Sequence, residues 1–338
     1  MRVFWGLVVV CVLGCTRLGF EDRRPLRVPD GGTDVAAPDL TPPDSTAPDQ
    51  TVDLPAVAQS TIHDPTTGIA WFQFKAGWAL PHTLTWVWRC ARPVPDFERY
   101  ELCVAKTVAD LASGKARCLT PQDDITLEIG ECQGGWHLGQ INDLEPDTAY
   151  WGTLKVHDSV GVTFVAPPVM QRTSKIPKTR VALWSDSFPP GVTSTTLTAS
   201  TSKPRAGTHH LLAQQTAADT WLELELDGFS LAQLPGLDAA RFAHAYIEYQ
   251  LDSPSVERID TVLQNTAGKF AVYGPPAGYS AVDGKPGYQR IQVPLWRPVW
   301  QGTSTPIDHT DLAAMDRLLI GAYFAAGPIY LDEVAIVY

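Results

Sequence analysis

The chain has 338 residues, which allows about two globular domains together with extended segments. Lys and Arg total 26 and Asp and Glu total 37, which gives a net charge of −11, and no basic stripe is present, so the composition argues against a nucleic-acid partner. Hydrophobic residues make up 44% of the chain and only the first segment has a long apolar run, which excludes global disorder and a polytopic membrane protein.

The N-terminal segment, residues 1–14, has the pattern of an export signal. Arg2 precedes the uninterrupted apolar run Val3–Gly14, which is too short to span a bilayer as a folded helix. The run ends Val12-Leu13-Gly14-Cys15, with a small residue before the cysteine. This ending resembles the lipobox of bacterial lipoproteins, which implies cleavage before Cys15 and lipidation of its thiol. The alternative is an ordinary secretory signal with an incidental cysteine.

The residue after the cysteine bears on where such a lipoprotein goes. Many lipoproteins retained at the inner membrane carry Asp at that position, whereas this chain has Thr16. The resemblance therefore implies the outer membrane. More than one acyl chain, palmitate for example, on Cys15 anchors a protein stably where a single chain does not. The expected location is the cell envelope, with a membrane contact through the lipid.

Residues 15–59 are predicted to form a disordered tether that starts at the lipidated cysteine. Between Val28 and Gln59 there is no Lys or Arg, and Pro-Asp recurs four times. Such a segment buries too little apolar surface to offset the entropy of ordering it. Proline stiffens the chain and like charges extend it, so the segment is expected to act as a spacer.

Residues 60–175 are predicted to form a first β-sandwich. Leu84, Trp86 and Trp88 alternate with Thr85 and Val87, which is the period of a β-strand. Further short strand-like runs follow, and turn signals such as Gly134-Gly135 separate them. Short strands at this spacing are typical of an antiparallel sandwich.

One segment of this domain carries a family resemblance. Leu144-Glu145-Pro146-Asp147-Thr148-Ala149-Tyr150 is similar to the L-x-P-x-T-x-Y segment of fibronectin type III domains. The resemblance implies a fibronectin type III-like sandwich in which the Tyr150 hydroxyl folds back onto nearby backbone. That family usually lacks cysteines, whereas this domain has four.

These four cysteines are an even set once Cys15 is lipidated: Cys90, Cys103, Cys118 and Cys132. In an exported protein they predict two disulfides, and three connectivities are possible. A zinc site is the alternative, although no pair has C-x2-C spacing. The strand order implied by the fibronectin resemblance favours Cys90–Cys132 and Cys103–Cys118.

Residues 178–338 are predicted to form a second sandwich of about nine strands, which favours a jelly roll and makes the whole chain all-β. Three segments resemble carbohydrate-binding modules of the galactose-binding-like type: Leu183-Trp184-Ser185-Asp186, Ala206-Gly207-Thr208-His209-His210-Leu211 and Ile329-Tyr330-Leu331-Asp332-Glu333-Val334. The resemblance implies a structural Ca²⁺ where the first and last strands meet, with Asp186 and Asp332 as ligands. The alternative is that Asp332 caps a strand or pairs with an arginine.

Strand alternation predicts a ligand face that combines aromatic and planar polar side chains. Sugars have apolar CH faces that stack on aromatic rings and hydroxyls that bond planar polar groups. The residues expected on this face are Tyr246, Glu248, Gln250, Arg290, Gln292 and Tyr323. Aromatic residues of the predicted loops are further candidates: Tyr273, Tyr279, Trp296 and Trp300. The ordinary alternative is a solvated sheet face.

Nucleophile-elbow, zinc-protease and phosphate-loop motifs are absent from the sequence, so no catalytic residue is predicted. The function that these features favour is a surface-anchored, non-catalytic glycan-binding lipoprotein whose partner is a polysaccharide or cell-envelope glycan. The alternative is a structural or protein-partner adhesin of the cell envelope without sugar binding, because a fold does not determine a function.

Overall fold

A computed structural model describes residues 59–63, 70–90, 94, 96–124, 127, 136–159, 161–188, 190–216, 220–228, 234–253, 258–273, 280–281, 287–324 and 326–338. All of them belong to one compact unit, Asp39–Tyr338. The predicted signal, Cys15, the tether up to residue 58, Cys132 and Tyr279 lie outside the described residues. In the described ranges, no helix has the length and apolar character needed to cross a membrane.

The first half of the described chain is built from nine antiparallel strands. They are β1 (Gln59–His63), β2 (Ala70–Ala79), β3 (Leu84–Cys90), β4 (Phe97–Ala105), β5 (Arg117–Leu119), β6 (His137–Ile141), β7 (Ala149–Asp158), β8 (Gly161–Val165) and β9 (Val169–Arg172). Sheet I has the order β1-β2-β3-β6, and sheet II has the order β5-β4-β7-β8 with β9 also paired to β7. A short helix, α1 (Val108–Ala112), connects β4 to β5, and the Thr107 side chain caps it.

Sheets I and II enclose a core rich in aromatic side chains. The alternation predicted for β3 is present, because Leu84, Trp86 and Trp88 are all fully buried. The indole of Trp86 lies directly on the backbone of β7, where a Cβ at Gly152 would come within 2.4 Å of the ring. Glycine at position 152 therefore permits this close packing.

Two predicted contacts of this region are present. Cys103 on β4 pairs in register with Cys118 on β5, and the two residues form a disulfide, which confirms that predicted pair. The Tyr150 hydroxyl accepts a hydrogen bond from the Glu145 backbone N–H at 3.0 Å. Cys90 is also disulfide-bonded, but its predicted partner Cys132 is outside the described residues, so that pairing stays a prediction.

The second half of the described chain adds twelve strands. They are β10 (Arg180–Ala182), β11 (Thr198–Ser200), β12 (His210–Gln215), β13 (Thr220–Asp227), β14 (Tyr246–Asp252), β15 (Arg258–Asn265), β16 (Phe270–Tyr273), β17 (Ser280–Ala281), β18 (Gln289–Pro294), β19 (Val299–Trp300), β20 (Met315–Phe324) and β21 (Gly327–Val337). Two short helical segments interrupt them: α2 (Ala239–Phe242) and a 3₁₀ turn (Asp311–Ala314).

These strands form two further sheets. Sheet III has the order β11-β12-β21-β14-β18 with β10 also paired to β21, and sheet IV has the order β13-β20-β15-β16-β19 with β17 also paired to β15. The two sheets share one large core, in which the Tyr249 hydroxyl of sheet III bonds Thr261 of sheet IV at 3.0 Å. The predicted all-β sandwich class is confirmed.

The turn after β2 joins the two halves. Trp78 and Leu80 come from the first half but pack into the core of sheets III and IV. The Trp78 ring lies 6.3 Å from the Tyr273 ring, and the Arg297 guanidinium lies over the Trp78 ring at 4.6 Å from its centroid. Burial of these large side chains stabilises the junction.

Candidate functional site

The outer face of sheet III carries polar side chains on its central strands. Along β14, Glu248, Gln250 and Asp252 alternate with the core residues Tyr249 and Leu251. Successive side chains of a strand point to opposite faces, so these three polar residues share the face that is turned away from the core.

Four residues form a row across this face, at right angles to the strands. Gln250 on β14 pairs in register with Asp332 on β21 and with Arg290 on β18. The pairing of β12 with β21 brings His210 next to Asp332. We call His210, Asp332, Gln250 and Arg290 the polar row. At about 4.8 Å between strands, the row extends over roughly 14 Å.

Three buried atoms of the polar row make no hydrogen bond to the part of the chain that the structure describes: His210 Nδ1, Gln250 Oε1 and Arg290 Nε. His210 and Gln250 are 0% and 1% exposed, whereas the Arg290 side chain is 25% exposed. An unpaired buried polar atom costs about 1–3 kcal/mol, so native proteins normally complete such atoms with water or a ligand. Three of the four residues of the polar row therefore have spare hydrogen-bonding capacity.

One carboxylate organises the arginine end of the row. Glu248 Oε1 accepts a hydrogen bond from Arg180 Nη1 at 2.8 Å, and its Oε2 accepts one from Gln292 Nε2 at 2.8 Å. Arg290 Nε lies 3.8 Å from the same Oε2 atom. The Arg180 side chain is 40% exposed. Two guanidinium groups are thus held at the surface around a single carboxylate, and they leave N–H donors for a ligand.

The first half of the chain supplies one wall of this site. The backbone N–H of His82 donates to Gln292 Oε1 at 2.9 Å, and its ring Nδ1 donates to the Leu144 carbonyl at 2.8 Å. Burial lowers the pKa of His82, and Arg290 lowers it further, while the bond to Leu144 opposes the shift. The His82 backbone N–H therefore fixes Gln292, which in turn orients Glu248.

The other end of the row carries an aromatic ring and an ammonium group. Lys203 bonds Asp252 and lies over the Tyr330 ring, with its Nζ 5.1 Å from the ring centroid. The His210 ring packs edge-on against Tyr330 at 5.1 Å. The Tyr288 hydroxyl donates to the Lys203 carbonyl at 2.8 Å, and burial together with nearby carboxylates raises the pKa of Tyr288. Tyr288 is therefore a hydrogen-bond donor at neutral pH.

Asp332 of the polar row accepts backbone amides on both carboxylate oxygens. Its Oδ2 accepts the N–H groups of Arg205 and Ala206 at 2.9 and 3.2 Å, and its Oδ1 accepts that of Glu333 at 2.8 Å. Asp332 is 0% exposed. Through these bonds Asp332 holds the segment before β12 against sheet III.

Asp186 also holds the segment before β12, through amides that lie further along it. Its Oδ1 accepts the N–H groups of Thr208 and His209 at 2.6 and 2.9 Å, and these bonds lower the pKa of the carboxyl. Gly207 has φ +64°, and a Cβ there would lie 2.2 Å from Asp186 Oδ1. Glycine is therefore required at position 207.

Both carboxylates of the predicted calcium site thus bind amides. In the described residues, neither belongs to a group of three or more His, Cys, Asp or Glu side chains spaced for one metal ion. Amide N–H groups and a cation compete for the same oxygen lone pairs, whereas Ca²⁺ usually has six to eight oxygen ligands. Calcium shared by Asp186 and Asp332 stays a prediction.

The predicted ligand face is assembled in part. Glu248, Gln250, Arg290 and Gln292 lie together on the neighbouring strands β14 and β18. Tyr323 belongs to β20 in sheet IV, so its predicted placement on the same face is wrong. Alternation indicates the side of a strand on which a residue lies, but it does not indicate which of two sheets the strand joins.

Exposure differs from the expectation as well. Tyr246, Gln250 and Gln292 are 1%, 1% and 0% exposed, so they are not displayed on the surface. Tyr246 packs into the main core, and Gln292 is held between Glu248 and the His82 backbone. Of the predicted face, Glu248 and Arg290 keep side-chain exposure of 12% and 25%.

The three predicted loop aromatics that the structure describes pack against the core. Tyr273 is fully buried, and Trp296 and Trp300 are half-buried against the same core. Arg297 stacks on Trp296 at 5.6 Å. Because these rings pack internally, they do not form an exposed aromatic platform.

The contributing residues that were not predicted as part of the site include His82, Arg180, Lys203 and His210. His210 had a signal, because two adjacent histidines at the start of a strand place one ring on each face. The other three reach the site from other strands or loops, and no local pattern indicates those contacts. The cross-strand register decides them.

Several solved structures share a distant similarity with the chain. A family 30 carbohydrate-binding module of a cellulosomal cellulase of Clostridium thermocellum shares 15% identity at a TM-score of 0.33, over 47% of this chain and 96% of that chain. A carbohydrate-binding module from the β-sandwich superfamily shares 13% sequence identity at a TM-score of 0.32, over 83% of this chain and 98% of that chain. An exo-β-agarase shares 11% sequence identity at a TM-score of 0.31, over 46% of this chain and 24% of that chain. Neither a family model nor a curated protein matches the sequence. No family assignment follows from these values.

Proposed function

We propose that this protein is a non-catalytic glycan-binding protein of the cell envelope, and that the outer face of sheet III binds the glycan. The polar row is the observation that supports this most directly. Three buried polar atoms on β12, β14 and β18 have no hydrogen-bond partner among the described residues, and β21 lies between the first two of these strands. An extended ligand with several hydrogen-bonding groups matches such a row.

Hydroxyl groups suit these three atoms because each hydroxyl both donates and accepts. Gln250 Oε1 requires a donor, Arg290 Nε requires an acceptor, and His210 Nδ1 takes either according to its tautomer. A ligand that carries only acceptors, such as a phosphate, would leave Gln250 unpaired. A glycan that extends along the row carries hydroxyls that can pair with all three, directly or through water.

The partly exposed residues around the row fit the rest of a sugar. Tyr330 offers an aromatic ring for an apolar CH face, while Arg180 and Arg290 offer N–H donors at the opposite end. The row atoms themselves lie below the surface, so water completes them in the free protein. Glycan hydroxyls at the surface then bond Arg290 directly and the deeper atoms through or in place of that water.

The carboxylates of the face support a non-catalytic role. Glu248 is engaged by Arg180 and Gln292, and Asp332 accepts three backbone amides. Glycoside hydrolysis needs a pair of carboxyl groups that flank a bond, one of them ready to give or take a proton. Carboxylates committed to structural bonds on both oxygens are poorly suited to that task.

The sequence supports the rest of the proposal. The lipobox-like segment before Cys15 is the basis for a lipid anchor at the outer membrane, and residues 15–59 have the composition of an extended tether. At about 3.1 Å per residue such a tether reaches on the order of 100 Å. The fibronectin type III-like residues 60–175 would then act as a spacer beneath the jelly-roll residues 178–338. Cys15→Ser is expected to move the protein from the membrane fraction to the soluble fraction.

The glycan site is tested with two matched arginine variants. Arg290 and Arg317 lie on the outer faces of opposite sheets, with side chains 25% and 30% exposed, and each lies beside a carboxylate. We expect Arg290→Gln to weaken binding on a polysaccharide array at least tenfold, whereas Arg317→Gln binds like the unchanged protein.

Three results would count against the proposal in different ways. Equal binding by both variants would remove sheet III as the site, and loss with Arg317→Gln alone would move the site to sheet IV, where Tyr323 lies. Silence across cell-wall, storage and extracellular polysaccharides would reject glycan binding itself. The protein-partner adhesin would then be the remaining interpretation.

A further inference from the structure

The turn between β2 and β3, residues 80–83, reaches the second sandwich from the first. Two backbone hydrogen bonds close it: the Leu80 N–H donates to the Thr83 carbonyl at 2.8 Å, and the Thr83 N–H donates to the Leu80 carbonyl at 3.4 Å. Leu80 packs into the core of sheets III and IV. The turn is therefore closed on itself and anchored in the neighbouring sandwich.

The segment 142–144 of the first sandwich holds the same turn. The His82 carbonyl accepts the Leu144 N–H at 3.0 Å, and the His82 ring Nδ1 donates to the Leu144 carbonyl at 2.8 Å. The Thr83 hydroxyl donates to Asn142 Oδ1 at 3.1 Å. These three bonds fix the direction in which the backbone N–H of His82 points.

Gln292 links that N–H to the carboxylate at the arginine end of the polar row. Its Oε1 accepts the His82 N–H at 2.9 Å, and its Nε2 donates to Glu248 Oε2 at 2.8 Å. A side-chain amide has one accepting end and one donating end, so the bond to His82 decides which end faces Glu248. With the two ends exchanged, the amide oxygen would face the carboxylate, and two acceptors would oppose each other.

This arrangement leaves Arg290 without a close bond to Glu248. Arg290 Nε lies 3.8 Å from Glu248 Oε2, the oxygen that accepts the Gln292 amide. That distance is too long for a hydrogen bond, and Arg290 Nε makes none within the described residues. If the amide donor were lost, Glu248 would gain by closing on Arg290, because a charge-assisted hydrogen bond is stronger than a neutral one. A glycan would then have to displace the carboxylate.

We propose that the turn at residues 80–83 is a positioning element of the glycan site: through Gln292 it keeps Glu248 from closing on Arg290, and so leaves Arg290 for the glycan. The inference rests on the glycan site proposed on sheet III and deepens it. The first sandwich then does more than space the second, because the affinity of sheet III depends on a turn of the neighbouring domain. His82 acts through Gln292 and does not contact the glycan.

The first test needs no glycan. In the full chain, labelled with ¹⁵N and kept in detergent, the arginine Nε–H signals are recorded by NMR, and Arg290→Lys identifies the Arg290 signal by its absence. Gln292→Met keeps the length of the side chain but neither hydrogen bond. We expect it to move the Arg290 signal downfield and to slow its exchange with water at least fivefold, because Arg290 then bonds Glu248. In the Glu248→Gln background the same change should leave the signal in place. An Arg290 signal that Gln292→Met does not move would overturn the proposal.

The second test measures binding. Affinity electrophoresis in gels that contain a β-glucan, glycogen or a galactan selects the strongest of the three ligands, which is then titrated. We expect Gln292→Met to weaken binding at least fivefold, but less than twofold in the Glu248→Gln background. Equal losses in both backgrounds would mean that Gln292 only supports the fold, and would overturn the proposal. If none of the three polysaccharides retards the unchanged protein, the glycan site itself is contradicted, while the Arg290 signal still decides the contact between the sandwiches.

Two variants of His82 test the turn directly. An Asn side chain places an N–H donor near the position of the His Nδ1 atom and can keep the bond to Leu144, whereas Ala cannot. We expect His82→Ala to move the Arg290 signal in the same direction as Gln292→Met and to weaken binding at least twofold, and His82→Asn to restore both. If circular dichroism shows Gln292→Met to be unfolded, this pair of variants takes its place. A signal and an affinity that stay unchanged in His82→Ala would overturn the proposal.

Discussion

The two sandwiches hold their outer segments in different ways. In the first, the Cys103–Cys118 disulfide ties the edge strand β5 to β4. In the second, which contains no cysteine, Asp186 and Asp332 hold the segment before β12 through backbone amides. A disulfide acts mainly by restricting the unfolded chain, whereas a buried carboxylate acts by pairing amides that would otherwise be unsatisfied. The first sandwich is therefore expected to be sensitive to reductants and the second to the loss of one charge.

The polar clusters on the outer faces of sheets II and III also differ, in how completely their atoms are hydrogen-bonded. Around Glu101 each carboxylate oxygen has a partner, Lys155 or His157. In the polar row, three atoms lack a partner within the described residues. A complete network stabilises the protein by itself, whereas an incomplete one gains when water or a ligand fills it. This contrast is the physical reason for placing glycan binding on sheet III.

The largest expected effect is the loss of the disulfide. The Cys103→Ser/Cys118→Ser double variant releases a cross-link over a sequence separation of 15, which should lower the free energy of unfolding by about 3 kcal/mol. Hydrogen exchange should accelerate in peptides from β4 and β5 and stay unchanged in peptides from β12 and β21. Equal acceleration in both sandwiches would show instead that the Trp78 junction makes them one cooperative unit.

An intermediate effect is expected for Asp332→Asn. The amide keeps one oxygen but directs an NH₂ group at a backbone N–H, which should lower the free energy of unfolding by about 1–3 kcal/mol. Exchange in residues 203–209 should accelerate. Glu333→Gln is the matched control, because its partly exposed ion pair with Arg205 contributes at most about 1 kcal/mol.

The unchanged protein and the Asp332→Asn variant together test the calcium prediction. Since amides occupy both Asp332 oxygens, we expect the thermal midpoint of the unchanged protein to be the same with and without chelator. Suppose that chelator lowers the thermal midpoint of the unchanged protein but not that of Asp332→Asn. That result would support a calcium ion shared by Asp332 and Asp186.

Sequence alone reached the fold class and several strands because both depend on local patterns. The alternation of Leu84, Trp86 and Trp88 predicts a buried strand, and those residues are buried. The Cys103–Cys118 pair was reached through the strand order of a similar family. Such inferences work where a residue's neighbours along the chain decide its environment.

The candidate site depends on information that local patterns lack. Gln250 lies between Asp332 and Arg290 because of the register of three strands that are distant in sequence. A shift of one residue would turn each side chain to the other face. The placement of Tyr323 failed for a related reason, since β20 pairs with β13 and β15 rather than with β14. His82 entered the site only because the turn after β2 packs against the second sandwich.

The smallest expected effect is a pH dependence to which a buried histidine in each sandwich contributes, in addition to His82. Burial lowers the pKa of His210 in the second sandwich and of His137 in the first. An unfolded histidine titrates near pH 6.5, so between that value and the lowered pKa the unfolded chain binds more protons than the folded one. Stability is therefore complete above about pH 6.5, falls as the pH drops below it, and levels off below the folded-state pKa. The slope for each histidine is at most about 1.4 kcal/mol per pH unit.

Site-specific variants separate the two contributions. His210→Gln should flatten the pH dependence of hydrogen exchange in β12 and β21 and leave that of β6 unchanged, while His137→Gln should do the reverse. His209→Gln is the control for the second sandwich, because His209 precedes β12 and is less buried than His210. If His210→Gln retained the full pH dependence of β12, the burial of a neutral ring next to Asp332 would not be its cause. The polar row would then lose its argument for an uncharged His210 that can bond a sugar hydroxyl as donor or acceptor.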